Sequence, residues 1–261
     1  MTNRETLTLV ETTLRRDRRA IFVVLLVIPV AAWIWVVLMA RDMYGSMRGA
    51  SAWMMTRDWD WPHVVLLWLM WAVMMIAMMM PSAAPVILLY GAAARKHQDA
   101  ASPERRIYAL AAGYALVWAL FSVGATALQR LLAAALVLTP MMEPATPVAA
   151  AAVLGAAGFY QLTPWKRACL SVCRSPLGFM LQRWRGGTAG AFRLGLDHGV
   201  HCLGCCWALM LILFAGGVMN LTVILTLTVW ALLEKTAPFG GRTPVLTGVT
   251  LLLAAVWMLL R

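Results

Sequence analysis

The segment 189-AGAFRLGLDHGVHCLGCCWALMLILFA-215 decides what kind of protein this is. It is long enough to span lipid as a helix, because a hydrocarbon core of about 30 Å takes roughly 20 residues at about 1.5 Å each. Yet it carries Asp197, His198, His201, Cys202, Cys205 and Cys206 within ten residues. Ionisable groups at membrane depth are costly and are usually kept for function. At about 100° per residue, His198, His201, Cys202 and Cys205 follow the spacing i, i+3, i+4, i+7 and share one helix face. Cys206 flanks that face on one side and Asp197 on the other. Imidazoles and thiols on one stripe make a nitrogen–sulfur site for a metal, and Asp197 beside His201 would fix a ring tautomer. The bland alternative is that the cysteines are small apolar fillers of a buried helix. Gly195 and Gly199 form a small-x-x-x-small pair that lets another helix approach the site.

The rest of the chain agrees with a membrane setting. Of 261 residues, 62% are hydrophobic and 13% charged, with a mean hydropathy of +0.77. Soluble domains sit near 45–50% apolar and about 25% charged. The expected fold is all-α: a polytopic transmembrane bundle of about seven helices. The spans fall at about Ala20–Ala40, His63–Met80, Ile107–Leu128, Val148–Thr163, Ala189–Ala215, Val218–Leu233 and Val245–Leu260. A basic leader, 1–19, precedes this single domain, 20–261, and reads as retained rather than as a cleaved signal peptide. The net charge of +11 comes from Lys and Arg between spans, not from a nucleic-acid patch.

The placement of those charges orients the chain. Arg15, Arg16, Arg18 and Arg19, then Arg95, Lys96, Arg105 and Arg106, then Lys166, Arg167, Arg174, Arg183 and Arg185, and finally Lys235 and Arg242 fall on one side of seven spans. Segment 139–147 on the other side has no Lys or Arg, and 41–62, with Trp53, Trp59 and Trp61, balances its arginines with aspartates. The positive-inside rule then makes the N-terminus cytoplasmic.

Further soft ligands are expected on the cytoplasmic side. Cys169 and Cys173, four residues apart in 160-YQLTPWKRACLSVCRSP-176, share a face if helical, and Arg167 and Arg174 would lower their pKa values. Six Met lie in 70-MWAVMMIAMMM-80, of which Met78 and Met79 come nearest this side, although methionine is also a flexible core filler. Pro81 and Pro85 then interrupt the helix. With the turn at Gly216–Gly217 taken as the outer boundary, His198 lies 19 residues before Gly217 and Glu234 lies 17 after it. Glu234 therefore reaches the same depth, either as a further ligand or as an end-of-helix pair with Lys235. Five cysteines is an odd count, which excludes a complete internal disulfide framework.

The segments MMIAMMMPSAAPVILLY, GFYQLTPWKRACLSVCRSPLGF and GLDHGVHCLGCCWALMLILFAGGVMNL resemble a bacterial family of predicted metal-binding integral membrane proteins of unknown function, over about residues 60–235. The resemblance implies a helical protein of the bacterial inner (cytoplasmic) membrane with a metal site at Met78–Pro81, Cys169, Cys173, His198, His201, Cys202, Cys205 and Cys206. Ligand softness favours Cu(I), with zinc the alternative. The partners would be the lipid bilayer and a protein that donates or accepts the metal. A thiol-redox role, through Cys202 and Cys205, and a subunit or assembly factor without chemistry of its own are the competing readings. Walker, G-x-S-x-G, H-E-x-x-H and dinucleotide motifs are absent from the sequence, which argues against common hydrolases and ATP-driven pumps.

Overall fold

In the computed structural model, residues 18–45, 60–96, 102–139, 141–237 and 242–260 are described. Most of the leader, together with Trp53 and Trp59, lies outside these residues. Among them all regular structure is helical, apart from one bridge between Leu138 and Pro144. The helices are α1 (Arg18–Met43), α2 (Trp61–Met79), α3 (Ala84–Lys96), α4 (Pro103–Ala134), α5 (Pro147–Gln161), α6 (Pro164–Arg174), α7 (Pro176–Arg183), α8 (Gly187–Leu211), α9 (Leu221–Thr236) and α10 (Thr243–Leu260). A short turn, Leu213–Gly216, extends α8.

Five of these helices are long and apolar enough to cross a membrane: α1, α2, α4, α8 with its extension, and α10. The apolar α5 is shorter, at 15 residues, and α9 has 16. The segment 164–188, expected as a loop, instead folds into α6 and α7. Their starts follow local chemistry. The Thr163 hydroxyl accepts from Lys166 N, and Pro164 follows in the first turn. The pairs Ser102–Pro103 and Thr146–Pro147 start α4 and α5 in the same way. Such a residue satisfies a free N–H of the first turn, where proline has none to lose.

The central contact is α4 against α8. Gly195 presses on the Leu110 carbonyl and Gly113 on that of Phe192, so a Cβ at either position would collide with backbone. At Gly199 the obstacle would be Val117 Cγ2, at 2.8 Å. The small-residue pair read from the sequence thus sets the approach of these two backbones. A second glycine contact, Gly158 against Gly248, joins α5 to α10.

Pro81 breaks the helix after α2 by removing the N–H that would bond Ala77 O. The Trp33 indole takes that carbonyl instead, at 3.0 Å. Ala83 N turns to Met80 O, which leaves Met79 O to the hydroxyls of Ser82 (2.7 Å) and Tyr114 (2.8 Å). The break therefore draws α4 and the 3₁₀ turn Pro81–Ala83 together beside α8.

Connections sort to two ends. At one, Tyr44 Oη donates to Glu143 Oε1 (3.2 Å), and Val218 N donates to Met142 O beside the turn at Gly217 (φ +89°). At the other, Arg106 Nη2 donates to Ala94 O (2.6 Å), while Arg174 donates to Glu234 O (2.9 Å) and Ala237 O (2.5 Å).

Candidate metal centre

Cys202, Cys205 and Cys206 lie at i, i+3 and i+4 on α8, so their sulfurs rise from one face. Cys205 Sγ is 3.4 Å from Cys206 Sγ and 3.9 Å from Cys173 Sγ, which α6 brings in from the side. Cys205 Sγ also donates to Cys202 O at 3.1 Å, and the Cys202 thiol is buried on the same face. Four thiols from two helices thus form one buried group, and all five cysteines are free of disulfides. Cys169, one turn before Cys173, is half-buried. Its sulfur lies against Gly204, where a Cβ would come to 2.6 Å. The expectation that Arg167 and Arg174 would lower these pKa values fails: burial pushes the Cys169 thiol up, and Arg174 is spent on backbone carbonyls at the end of α9.

His198 is buried one turn from Cys202, its ring stacked on Tyr114 (centroids 5.6 Å) and tilted against Phe179 (5.4 Å). Among the described residues its Nδ1 has no hydrogen-bond partner. A buried nitrogen without a partner is costly, so this atom is available to a ligand. His201 sits apart and half-buried, its Nδ1 2.7 Å from Asp197 O. The Asp197 carboxylate turns outward to Arg183 at 3.5 Å. It is the carbonyl of Asp197, rather than its side chain, that meets the His201 ring.

Depth counting from Gly217 placed residues 234 and 235 level with the site, and the packing then separates their faces. Lys235 Nζ points at the thiols: it is 3.0 Å from Cys202 Sγ, 2.8 Å from Ser82 Oγ and 4.0 Å from Met79 Sδ. Glu234, about 100° round the helix, meets Lys166 Nζ at 2.5 Å. It also accepts from Gln161 Nε2 and Thr247 Oγ1, each at 3.1 Å. Lys166 donates further to Cys205 O at 2.5 Å. Met78 is buried beside Met79 on α2.

Lys235, Lys166, Tyr114 and Ser82 were missed as parts of this region. In the sequence both lysines look like loop charges, and a tyrosine or serine in an apolar helix carries no distinguishing pattern. Tyr114 Oη reaches Cys202 Sγ at 3.1 Å. The one available signal was Ser82 directly after Pro81, where a broken helix has carbonyls to satisfy.

Among the described residues, no three His, Cys, Asp or Glu side chains are disposed to hold a metal ion as they stand. The thiols instead hydrogen-bond to one another. Loading would exchange S–H···S contacts for metal–sulfur bonds and release protons. The donors themselves are soft: thiols first, with a thioether and an unpartnered imidazole nitrogen close by, the set that suits Cu(I).

Buried free thiols of this kind are donors that soft metals favour. The family described as PpoB2, copper chaperone, matches residues 68–258, and this chain belongs to it. No curated protein and no solved structure matches the chain. The matched span takes in α2 from Trp68 onward and every thiol of the site, and leaves out α1. The family's description agrees with copper, which the sequence reading favoured over zinc.

Proposed function

We propose that this chain is an integral membrane copper chaperone of the bacterial inner membrane, with its N-terminus in the cytoplasm. It takes Cu(I) from one protein and yields it to another. The observation that carries the reading is the clustering of Cys173, Cys205 and Cys206, with buried Cys202 on the same face of α8 one turn from His198, whose Nδ1 has no partner among the described residues. Cys202 and a second thiolate from the group bind the ion, and His198 supplies a neutral third donor. Met79 lies on the rim of this set. His201 and Cys169 are half-buried at the edge of the group, and Glu234 serves Lys166 rather than the metal.

Charge balance supports this assignment. Cu(I) with two thiolates and a neutral imidazole carries a net charge of −1, which is expensive away from water. The ammonium of Lys235, 3.0 Å from Cys202 Sγ, offsets it. The same ammonium disfavours a divalent ion at this position, which selects Cu(I) over Zn(II). The five long apolar helices support the membrane setting, and the Lys/Arg-rich connections at one end support the orientation.

The test is elemental analysis of detergent-purified protein loaded anaerobically with Cu(I) or Zn(II), wild type beside a Cys202→Ser/Cys205→Ser double variant. The expected result is about one equivalent of copper in the wild type, lost in the variant, with zinc bound weakly. Copper retained by the variant, or absent from the wild type, refutes the proposal.

A further inference from the structure

The five thiols are unequal in access, and the difference runs in one direction through the fold. Cys202, Cys205 and Cys206 are each 1% exposed, and Cys173 is 9% exposed. Cys169 alone is half-buried. It sits on α6, which carries exposed Trp165 and Arg167 and lies at the Lys/Arg-rich end of the bundle. Its sulfur is turned inward against Gly204 of α8, where no side chain intervenes. Residues four apart on a helix stand about 5–6 Å from each other at Cβ, so Cys169 is one short step from Cys173. Cys173 Sγ is in turn 3.9 Å from Cys205 Sγ.

We propose that Cys169 is the transfer thiol of the site, through which Cu(I) passes between an external thiol carrier and the buried group, by way of Cys173. The inference rests on the copper reading above and deepens it. Each step is a ligand exchange with no change of oxidation state. A Cu–S bond to Cys169 forms as a Cu–S bond to the carrier breaks, and the Cys169 proton passes to the released carrier thiolate. The Cu–S bond to Cys173 then replaces that to Cys169, which regains a proton from the Cys173 thiol. A buried thiol group without such a step would load only as fast as the bundle opens locally. Gly204 is what permits it: any side chain there would push the Cys169 sulfur outward and away from α8.

The experiment is stopped-flow loading of full-length protein in detergent from a Cu(I)–glutathione complex, paired with equilibrium copper content against a Cu(I) chelator. Wild type, Cys169→Ser, Cys173→Ser and Gly204→Val are compared. Cys169→Ser is expected to keep the wild-type copper content and affinity while slowing loading and chelator-driven release together, by about tenfold or more. Gly204→Val is expected to do the same with Cys169 still present. Unchanged rates in Cys169→Ser overturn the proposal while leaving the copper site intact. A lowered equilibrium copper content in Cys169→Ser also overturns it, by making Cys169 a resident ligand. Absence of copper from the wild type defeats the underlying site instead, so the two failures are distinct.

Discussion

The Lys166–Glu234 pair offers a quantitative test of how the site is supported. Its side chains are 0% and 1% exposed, and the N···O distance is 2.5 Å. Replacing Glu234 by Leu leaves a buried ammonium whose remaining acceptor among the described residues is Cys205 O. Removing one partner of a buried pair costs about 3–5 kcal/mol. It also frees the Gln161 amide, whose Oε1 already lacks a partner among the described residues, adding about 1–3 kcal/mol. Thr247 is spared, because its hydroxyl also donates to Thr243 O at 2.8 Å. Lys166→Met strands the carboxylate with two neutral donors and costs a similar 3–5 kcal/mol. The double variant, Lys166→Met/Glu234→Leu, removes both charges, and a buried pair replaced by apolar residues is often neutral. Only the Gln161 term of about 1–3 kcal/mol then remains. Unfolding in mixed micelles, followed by tryptophan fluorescence, should therefore give a coupling of about 6 kcal/mol or more between the two positions, since each single variant strands a buried charge and the double variant strands none. Additive losses, within about 0.5 kcal/mol, would refute the assignment of these residues to each other. Copper content in the double variant should follow the wild type; its loss with the fold intact would place Glu234 among the metal ligands.

Two further outcomes are expected. Gly195→Ala drives a methyl into the Leu110 carbonyl and should cost about 1–3 kcal/mol, whereas Gly124→Ala, with open space around it, should be neutral or stabilising by up to about 1 kcal/mol; equal effects in the same unfolding assay would show that the α4–α8 contact is not set by glycine. Maleimide labelling of the intact protein should modify Cys169 first, because it alone is half-buried. The rate should climb at a pH above that of a free cysteine, because burial raises the thiol's pKa, and a profile shifted to lower pH would contradict that environment.

The sequence by itself determined the class of architecture and one wall of the site. An apolar content of 62% leaves helices as the simple solution for a chain in lipid. The i, i+3, i+4, i+7 spacing on α8 is a local property that needs no partner to be read: His198, Cys202 and Cys205 are buried on one face, while His201, grouped with them by the same spacing, is half-buried. Counting residues from Gly217 gave the right depth for α9, because the rise per residue is nearly constant. Rotation about the helix axis is different. It is fixed by how side chains of neighbouring helices interlock, which one sequence does not encode locally. Packing therefore decided that Lys235 rather than Glu234 meets the thiols, that Cys173 joins Cys205 from a helix expected as a loop, and that Tyr114 closes the group from α4. His201 and Asp197 show the same limit from the other side. They lie on or beside the stripe of cysteines, yet His201 is only half-buried and Asp197 faces Arg183, because the rotation of α8 among its neighbours turns that edge of the helix outward while His198 and the thiols are buried.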